Sequence, residues 1–266
     1  MEIEIELEKN VEANAQKYFE KAKKLRKKLD GAKKAVEETR KKLAREQQEL
    51  ELAEEKKEKQ KQEKERKKEW YEKFRWCLSS NDFLIIGGKD SSSNEVVIKK
   101  YLDPHDLVYH TEAPGSPFII IKNPENKTIQ EKTKQEAAVI AGTYSRAWSL
   151  GTKRAEVFEV KPDQVSKEAK SGEYIQKGSF MVRGERNQYN VELNLSIGYF
   201  LDDKEHKVIM AGPESAVAKH CKEYLKLRQG DSKKGEISKV IMKKFGLATN
   251  DDILAALPAG EFAVQK

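Results

Sequence analysis

The chain has 266 residues, 36% of them charged and 37% hydrophobic, with a mean hydropathy of −0.83 and a formal charge of +7. Such a polar composition excludes one compact globule over the whole length, and no apolar run approaches the roughly 18 residues of a membrane-spanning helix. Cys77 and Cys221 are too few for a disulfide framework or a zinc ribbon, which points to a reducing, cytoplasmic setting.

The charge is unevenly spread: counted along the sequence, residues 1–75 carry +5 and residues 76–266 carry +2. Net charge therefore does not by itself argue for nucleic acid, and a binding surface on the globular part needs local segregation of charge. The charged N-terminus is not expected to act as a signal peptide.

Residues 1–8, MEIEIELE, alternate with Ile3, Ile5 and Leu7 on one side, the pattern of a half-buried strand. With a long helical stretch following, that strand is expected to join a distant sheet or to be the last strand of a missing upstream domain. From Val11 the apolar positions step by fours and threes through Ala15, Tyr18, Ala22, Leu25, Leu29, Ala32, Val36, Leu43, Leu50 and Ala53. Thr39 and Glu46 interrupt an otherwise regular heptad seam, so residues 9–69 are predicted to form a coiled coil. Asp30-Gly31 is one place for a hairpin tip, and a return arm beyond Leu43 is another. Residues 54–69 lack apolar side chains and read as a solvated helix or as a basic arm touching RNA.

Trp70, Tyr71, Phe74 and Trp76 announce a core, where a helix is expected to dock on a sheet. Strands are predicted from Phe83, at Val96–Ile98, at Leu107–Tyr109, at Phe118–Ile121 and at Val157–Val160. Thr133 is the expected N-cap of a helix reaching about Leu150, with Ala137, Ile140, Ala141, Tyr144 and Trp148 on one face. After Asn190 an alternating strand and Lys207–Met210 suggest a hairpin across Asp202-Asp203. Ser215–Leu227 and Glu236–Phe245 read as helices, and Asn250-Asp251-Asp252 as the cap of a short one stopped by Pro258.

Known catalytic and metal constellations are missing. His105, His110, His206 and His220 fall in no recognised motif, and the side chains of His220 and Cys221 diverge on a helix. Gly87-Gly88-Lys89-Asp90 lacks the spacing of a phosphate loop and reads as a strand-to-strand connection, with no helix N-terminus to meet a phosphate. No cofactor, no metal site and no enzymatic reaction are expected.

Three ordered strings carry a resemblance. WYEKFRWCLSSNDFLIIGGKDSSSNEVVIKKYL runs from Trp70 to Leu102, DLVYHTEAPGSPFIIIKNP from Asp106 to Pro124, and SKEAKSGEYIQKGSFMVRGERN from Ser166 to Asn187. Together with EANAQKYF from Glu12, the text resembles the coiled coil and the NFACT-R domain of the NFACT proteins of ribosome-associated quality control, most of all their archaeal and eukaryotic branch. The family's large N-terminal domain and its helix-hairpin-helix region have no counterpart here. The resemblance implies an RNA-binding domain and partners on the large ribosomal subunit, both rRNA and ribosomal protein. It implies tRNA as a further partner, a protein partner for the coiled coil, and no membrane. Full-length members support template-free tailing of the nascent chain by recruiting tRNA.

The expected architecture is α+β: a long N-terminal helical coiled coil, a mixed α+β domain over 70–190 resembling NFACT-R, and a small C-terminal α+β extension over 191–266. Candidate RNA contacts are Lys89, Asp90, Lys100, Asp106, His110, Gly115, Ser116, Lys122, Lys167, Lys170, Arg183 and Arg186. Arg183 and Arg186 flank Gly184 and offer planar forks for phosphate. His110 is read either as an RNA contact or as a ring that bonds Asp106 or backbone and holds a hairpin. Two rival readings stand beside RNA binding: a coiled-coil scaffold for protein, and an enzyme acting on RNA or a nucleotide through His110 and Asp106.

Overall fold

The computed structural model describes residues 4–8, 10–113, 115–167, 177–247 and 249–265, with the backbone alone along 51–65. The chain divides into two units, residues 1–58 and 59–266.

The first unit is built on helix α1 (Val11–Glu65, 55 residues), which runs unbroken through Gly31. A β-carbon at Gly31 would meet nothing within 4 Å, so the glycine is a tolerated interior residue and no hairpin tip forms there. Seam residues Leu25, Leu29, Val36, Leu43 and Leu50 are all more than half exposed in this single chain. The strand expected over 1–8 does not form among the described residues 4–8. Asn14 instead holds this segment against the first turns of α1: its Oδ1 accepts from Glu6 N at 2.8 Å and its Nδ2 donates to Glu6 O at 3.0 Å. Local hydrogen bonds outcompete an alternation that has no neighbouring strand to pair with.

The second unit begins with strands β1 (Arg75–Leu78) and β2 (Leu84–Gly87), helix α2 (Ser91–Tyr101), and strands β3 (Leu107–His110) and β4 (Ile119–Ile121). Helices α3 (Glu131–Thr143) and α4 (Arg146–Ser149) follow, then strands β5 (Arg154–Val160), β6 (Val165–Ser166), β7 (Met181–Val182) and β8 (Asn187–Glu192). The main sheet is antiparallel in the order β1-β2-β4-β3-β5-β8, and β6 pairs with β7 separately. Period-two alternation gives this sheet two buried faces. Ile85, Tyr109, Ile119, Ile121 and Val157 pack with Ala137, Ala138 and Ala141 of α3. Their neighbours Ile86, Val108, Ile120 and Phe158 pack with Val97 and Ile98 of α2.

The rest comprises β9 (Leu195–Leu201), β10 (Lys207–Gly212), α5 (Glu214–His220), β11 (Glu223–Lys233), α6 (Lys234–Phe245), α7 (Asp251–Ala256) and β12 (Glu261–Val264). Its sheet has the order β10-β9-β11-β12, and Leu195, Ile197, Leu227, Ile237, Ile241, Phe245 and Phe262 fill its core with Trp148. The α3 face of the main sheet also receives Met210, Ala216 and Val217, so the two sheets share packing.

The mixed α+β architecture is as expected, but four elements differ. Val96–Ile98 is helical, although β-branched residues favour strands. A capping box between Asp90 and Ser93 starts α2, and its burial of Val97 and Ile98 outweighs their propensity. Thr133 lies inside α3, where it is buried and bonds Asn81 Oδ1 at 2.9 Å; the cap is Gln130, and the helix breaks at Tyr144 before Ser145 caps α4. The helix predicted for Ser215–Leu227 stops at His220, and β11 then pairs Leu225 with Ile197 and Leu227 with Leu195. The aromatic cluster from Trp70 forms a turn leading into β1 rather than a helix.

Candidate nucleic-acid interface

β2 ends on Gly87-Gly88 because neither position has room for a side chain. A β-carbon on Gly87 would lie 2.2 Å from Ile119 Cδ1, and one on Gly88 would lie 2.7 Å from the backbone nitrogen of Asn94. The connection therefore runs from strand to helix, contrary to the strand-to-strand reading. The N-terminus of α2 is already served, however. Ser93 Oγ accepts from Lys89 N at 2.7 Å and Asp90 N at 2.8 Å, and Asp90 Oδ1 accepts from Ser93 N at 2.7 Å. Those bonds hold the Asp90 carboxyl below its usual range, so it stays ionised against the helix's positive end. Gly88→Ala is expected to displace the start of α2 and destabilise the fold by about 1–3 kcal/mol, measured as a lower urea midpoint.

Asn94 joins α2 to the β3–β4 loop, accepting from Phe118 N at 3.1 Å and donating to Ser116 O at 3.3 Å. Within the loop, the Ser116 hydroxyl donates to Ala113 O at 2.8 Å and lies 2.6 Å from the Thr111 hydroxyl, which takes the N–H of Ala113. Gly115 turns the chain at φ 79°. His110 stacks flat on Phe118, with ring centres 4.0 Å apart, and its Nδ1 meets Pro117 O at 2.9 Å. It bonds backbone, as one of the two readings held, and Asp106 is engaged elsewhere. Burial, the largest influence, pushes the His110 pKa down, against the Pro117 carbonyl and the Glu112 carboxylate; Arg186 lowers it further. The folded protein therefore resists protonation that the unfolded chain accepts. Stability should be full above about pH 6.5 and should fall as the pH drops from there through the lowered native pKa. His110→Phe is expected to flatten that decline in Tm measured between pH 7 and 5.

These elements wall a cavity of about 680 Å³. Arg75, Lys89, Arg146, Lys177 and Arg186 line it, against the carboxylates Asp90 and Glu112. Both carboxylates are committed, Asp90 to Ser93 and Glu112 to an ion pair with Arg186. Arg186 also lies 4.6 Å over the Phe158 ring. Arg146 and Lys177 make no ion pair among the described residues. Gly178, at φ 80°, brings the Lys177 turn onto the first turn of α2, where a β-carbon would sit 2.4 Å from Ser91 O. Arg75 stacks 4.3 Å over Tyr144 and donates to Leu257 O at 3.1 Å. Burial depresses the Lys89 pKa, helped by Arg75 and Lys68. Lys234, which shares the Leu257 carbonyl, is lowered to about 8 by burial, then by Arg75 and Lys89. Arg75 and Lys89 thus bring partly desolvated like charge to one wall, with Lys234 adding to it from outside the lining, a field that attracts anions.

Of the expected contacts, Lys89, Asp90, His110, Gly115, Ser116 and Arg186 meet at this cavity. Lys122 and Asp106 do not: they form a buried ion pair joined by Asp103, Tyr101 O and Asn123 N. Lys167 pairs with Glu95 at 2.6 Å and lies in a second hollow of about 710 Å³. Lys100 is exposed in the last turn of α2, Arg183 is exposed with its N–H bonded to Gln164 O, and Lys170 lies outside the described residues. Sequence reasoning missed Arg75, Arg146, Lys177 and Asn94. Only the Lys177-Gly178 step carries a turn signal; the others are assembled by distant elements.

The profile described as the NFACT protein RNA binding domain matches residues 73–184, which contain most of this cavity's wall. The chain is 40% identical over 202 residues to the archaeal Rqc2 homolog aRqcH of Methanocaldococcus jannaschii, covering 74% of this chain and 30% of that protein.

The chain belongs to the NFACT family.

Other NFACT relatives are the ribosome quality control complex subunit NEMF homolog of Drosophila melanogaster and NEMF of Homo sapiens. The first is 36% identical over 76% of this chain and 20% of its own length, the second 37% identical over 66% and 16%. The chain thus spans less than a third of the curated relatives it matches. The C-terminal part of the fibronectin/fibrinogen-binding protein from Streptococcus suis, a solved structure, is 19% identical over 48% of this chain and 47% of its own. Its TM-score of 0.39 is too low to argue from. Among the described residues no helix is long and apolar enough to cross a membrane, and no cluster of His, Cys, Asp and Glu could hold a metal ion.

Proposed function

We propose that this NFACT chain binds RNA without catalysing a reaction, and that the cavity between α2, the β3–β4 loop and α4 grips the sugar–phosphate backbone. The observation that carries this reading is the pair of uncommitted cations, Arg146 and Lys177, beside the partly desolvated Arg75 and Lys89, in the segment that matches an RNA-binding domain. Cations held in place bind phosphate without reading sequence. Asp106 and His110 have separate partners, which favours binding over acid–base chemistry between them.

The RNA is rRNA or tRNA on a stalled large subunit in the cytoplasm, as the relatives' ribosome quality control names suggest. A filter-binding titration with tRNA and with rRNA fragments tests the reading. Affinity should fall with salt by about 0.7 in log–log slope for each single-stranded phosphate neutralised. No affinity for either RNA at low salt overturns it. Sedimentation with large subunits should show retention on those carrying peptidyl-tRNA above vacant ones.

The exposed heptad seam of α1 favours a second role in the same chain, a coiled-coil contact with a protein partner. Residues 1–65 alone should then capture ribosomal protein from dissociated large subunits, and charge on Leu29 and Leu43 should abolish the capture.

A further inference from the structure

Cations alone cannot tell RNA from DNA, because both present the same phosphates. The cavity also holds an uncommitted acceptor, a group of another kind. His110 lines it, and its Nδ1 lies 2.9 Å from Pro117 O. A carbonyl has no hydrogen to give, so Nδ1 carries the proton and donates it. In the neutral ring that leaves Nε2 with a lone pair, an acceptor of hydrogen bonds. No donor meets Nε2 among the described residues. The bond to Pro117 fixes which nitrogen donates, and the ring plane is held flat on Phe118, with planes 2° apart, and edge-on to Phe158 at 81°.

Of the other polar side chains of the wall, the cations are donors and most of the rest are engaged, while Ser91 and Ser179 bring hydroxyls that can give or accept a hydrogen bond. Lys89, Arg146 and Lys177 donate only. The carboxylates serve Ser93 and Arg186, and the hydroxyls of Thr111 and Ser116 are spent within their loop. A ligand that fits both kinds of wall brings phosphate oxygens to the cations and a hydroxyl hydrogen to the imidazole. Ribose carries that hydroxyl beside its phosphate; deoxyribose does not. We propose that His110 Nε2 accepts the 2′-hydroxyl of a bound ribonucleotide, so that the cavity selects RNA over DNA. This rests on the cavity's being the RNA site.

The test uses the full chain and fluorescence anisotropy with three single-stranded 12-mers of one sequence: RNA, DNA and fully 2′-O-methylated RNA. The methylated strand keeps the ribose pucker and removes the hydrogen. One neutral hydrogen bond of this kind predicts RNA binding about three- to tenfold tighter than either of the others. In His110→Phe, which preserves the stack on Phe118, the RNA-to-DNA ratio should collapse toward one. Equal binding of RNA and methylated RNA by the unaltered chain overturns the inference, and so does a ratio that survives in His110→Phe. The methylated strand decides the matter even if the variant fails to fold. Those outcomes leave RNA binding standing; failure of the unaltered chain to bind any RNA removes the cavity reading itself, and this inference with it.

Discussion

Asp106→Ala should lower stability by about 3–5 kcal/mol, the loss expected when one partner of a buried ion pair is removed. The Asp106 side chain is fully buried and that of Lys122 is 9% exposed. Asp106 Oδ1 takes the N–H of Asn123 at 2.7 Å, and Oδ2 takes that of Asp103 at 2.8 Å together with the Lys122 ammonium. The cluster clamps the end of α2, the approach to β3 and the exit of β4, so both ends of the hairpin depend on it. Removing the carboxylate strands two backbone donors and leaves Lys122 with the half-exposed Asp103, 2.6 Å away, and the Tyr101 carbonyl. Equilibrium urea unfolding measures the loss. Adding Lys122→Met should restore part of it, because the stranded charge goes too. A loss below about 1 kcal/mol would show that the pair is not the clamp described. Lys122→Met alone should leave the salt dependence of RNA binding unchanged, which separates this structural lysine from the cavity cations.

The second large effect concerns binding. Arg146→Gln with Lys177→Gln removes the two cations of the cavity that make no ion pair among the described residues, at little expected cost to the fold because both are exposed. If each neutralises one phosphate of a single strand, the log–log salt slope should fall by about 1.4. At 0.1 M salt that corresponds to roughly 25-fold weaker binding. The same substitutions at Lys100 and Lys132, exposed on α2 and α3 and not among the cavity's lining residues, should change the slope little. An unchanged slope in the Arg146 and Lys177 variant would move the RNA away from the cavity.

Much of the hairpin region was readable from the chain. Leu107–Tyr109 and Phe118–Ile121 became β3 and β4 because short apolar runs bounded by turn residues have few other uses. The family resemblance was equally legible, since ordered strings survive where isolated motifs do not. Val96–Ile98 misled because three β-branched residues say strand locally, whereas the capping box and the face they bury are relations to residues several positions away. The candidate list failed in the same manner. Lys122 and Arg146 look alike in the sequence, and only their surroundings make one a buried partner of Asp106 and the other an exposed cation of the cavity.

By itself, then, the sequence determined the long polar helix, the mixed α+β head, most of the main sheet's strands and the family. All of these are written in periodicity, turn residues and contiguous strings, which are local quantities. Only the tertiary structure decided which charges are spent and which remain available. That depends on which groups burial brings together, and the cavity draws its wall from residues as far apart in the chain as Arg75, Arg146 and Arg186. A charge is committed by its neighbours in space, and the linear order of the chain does not contain them.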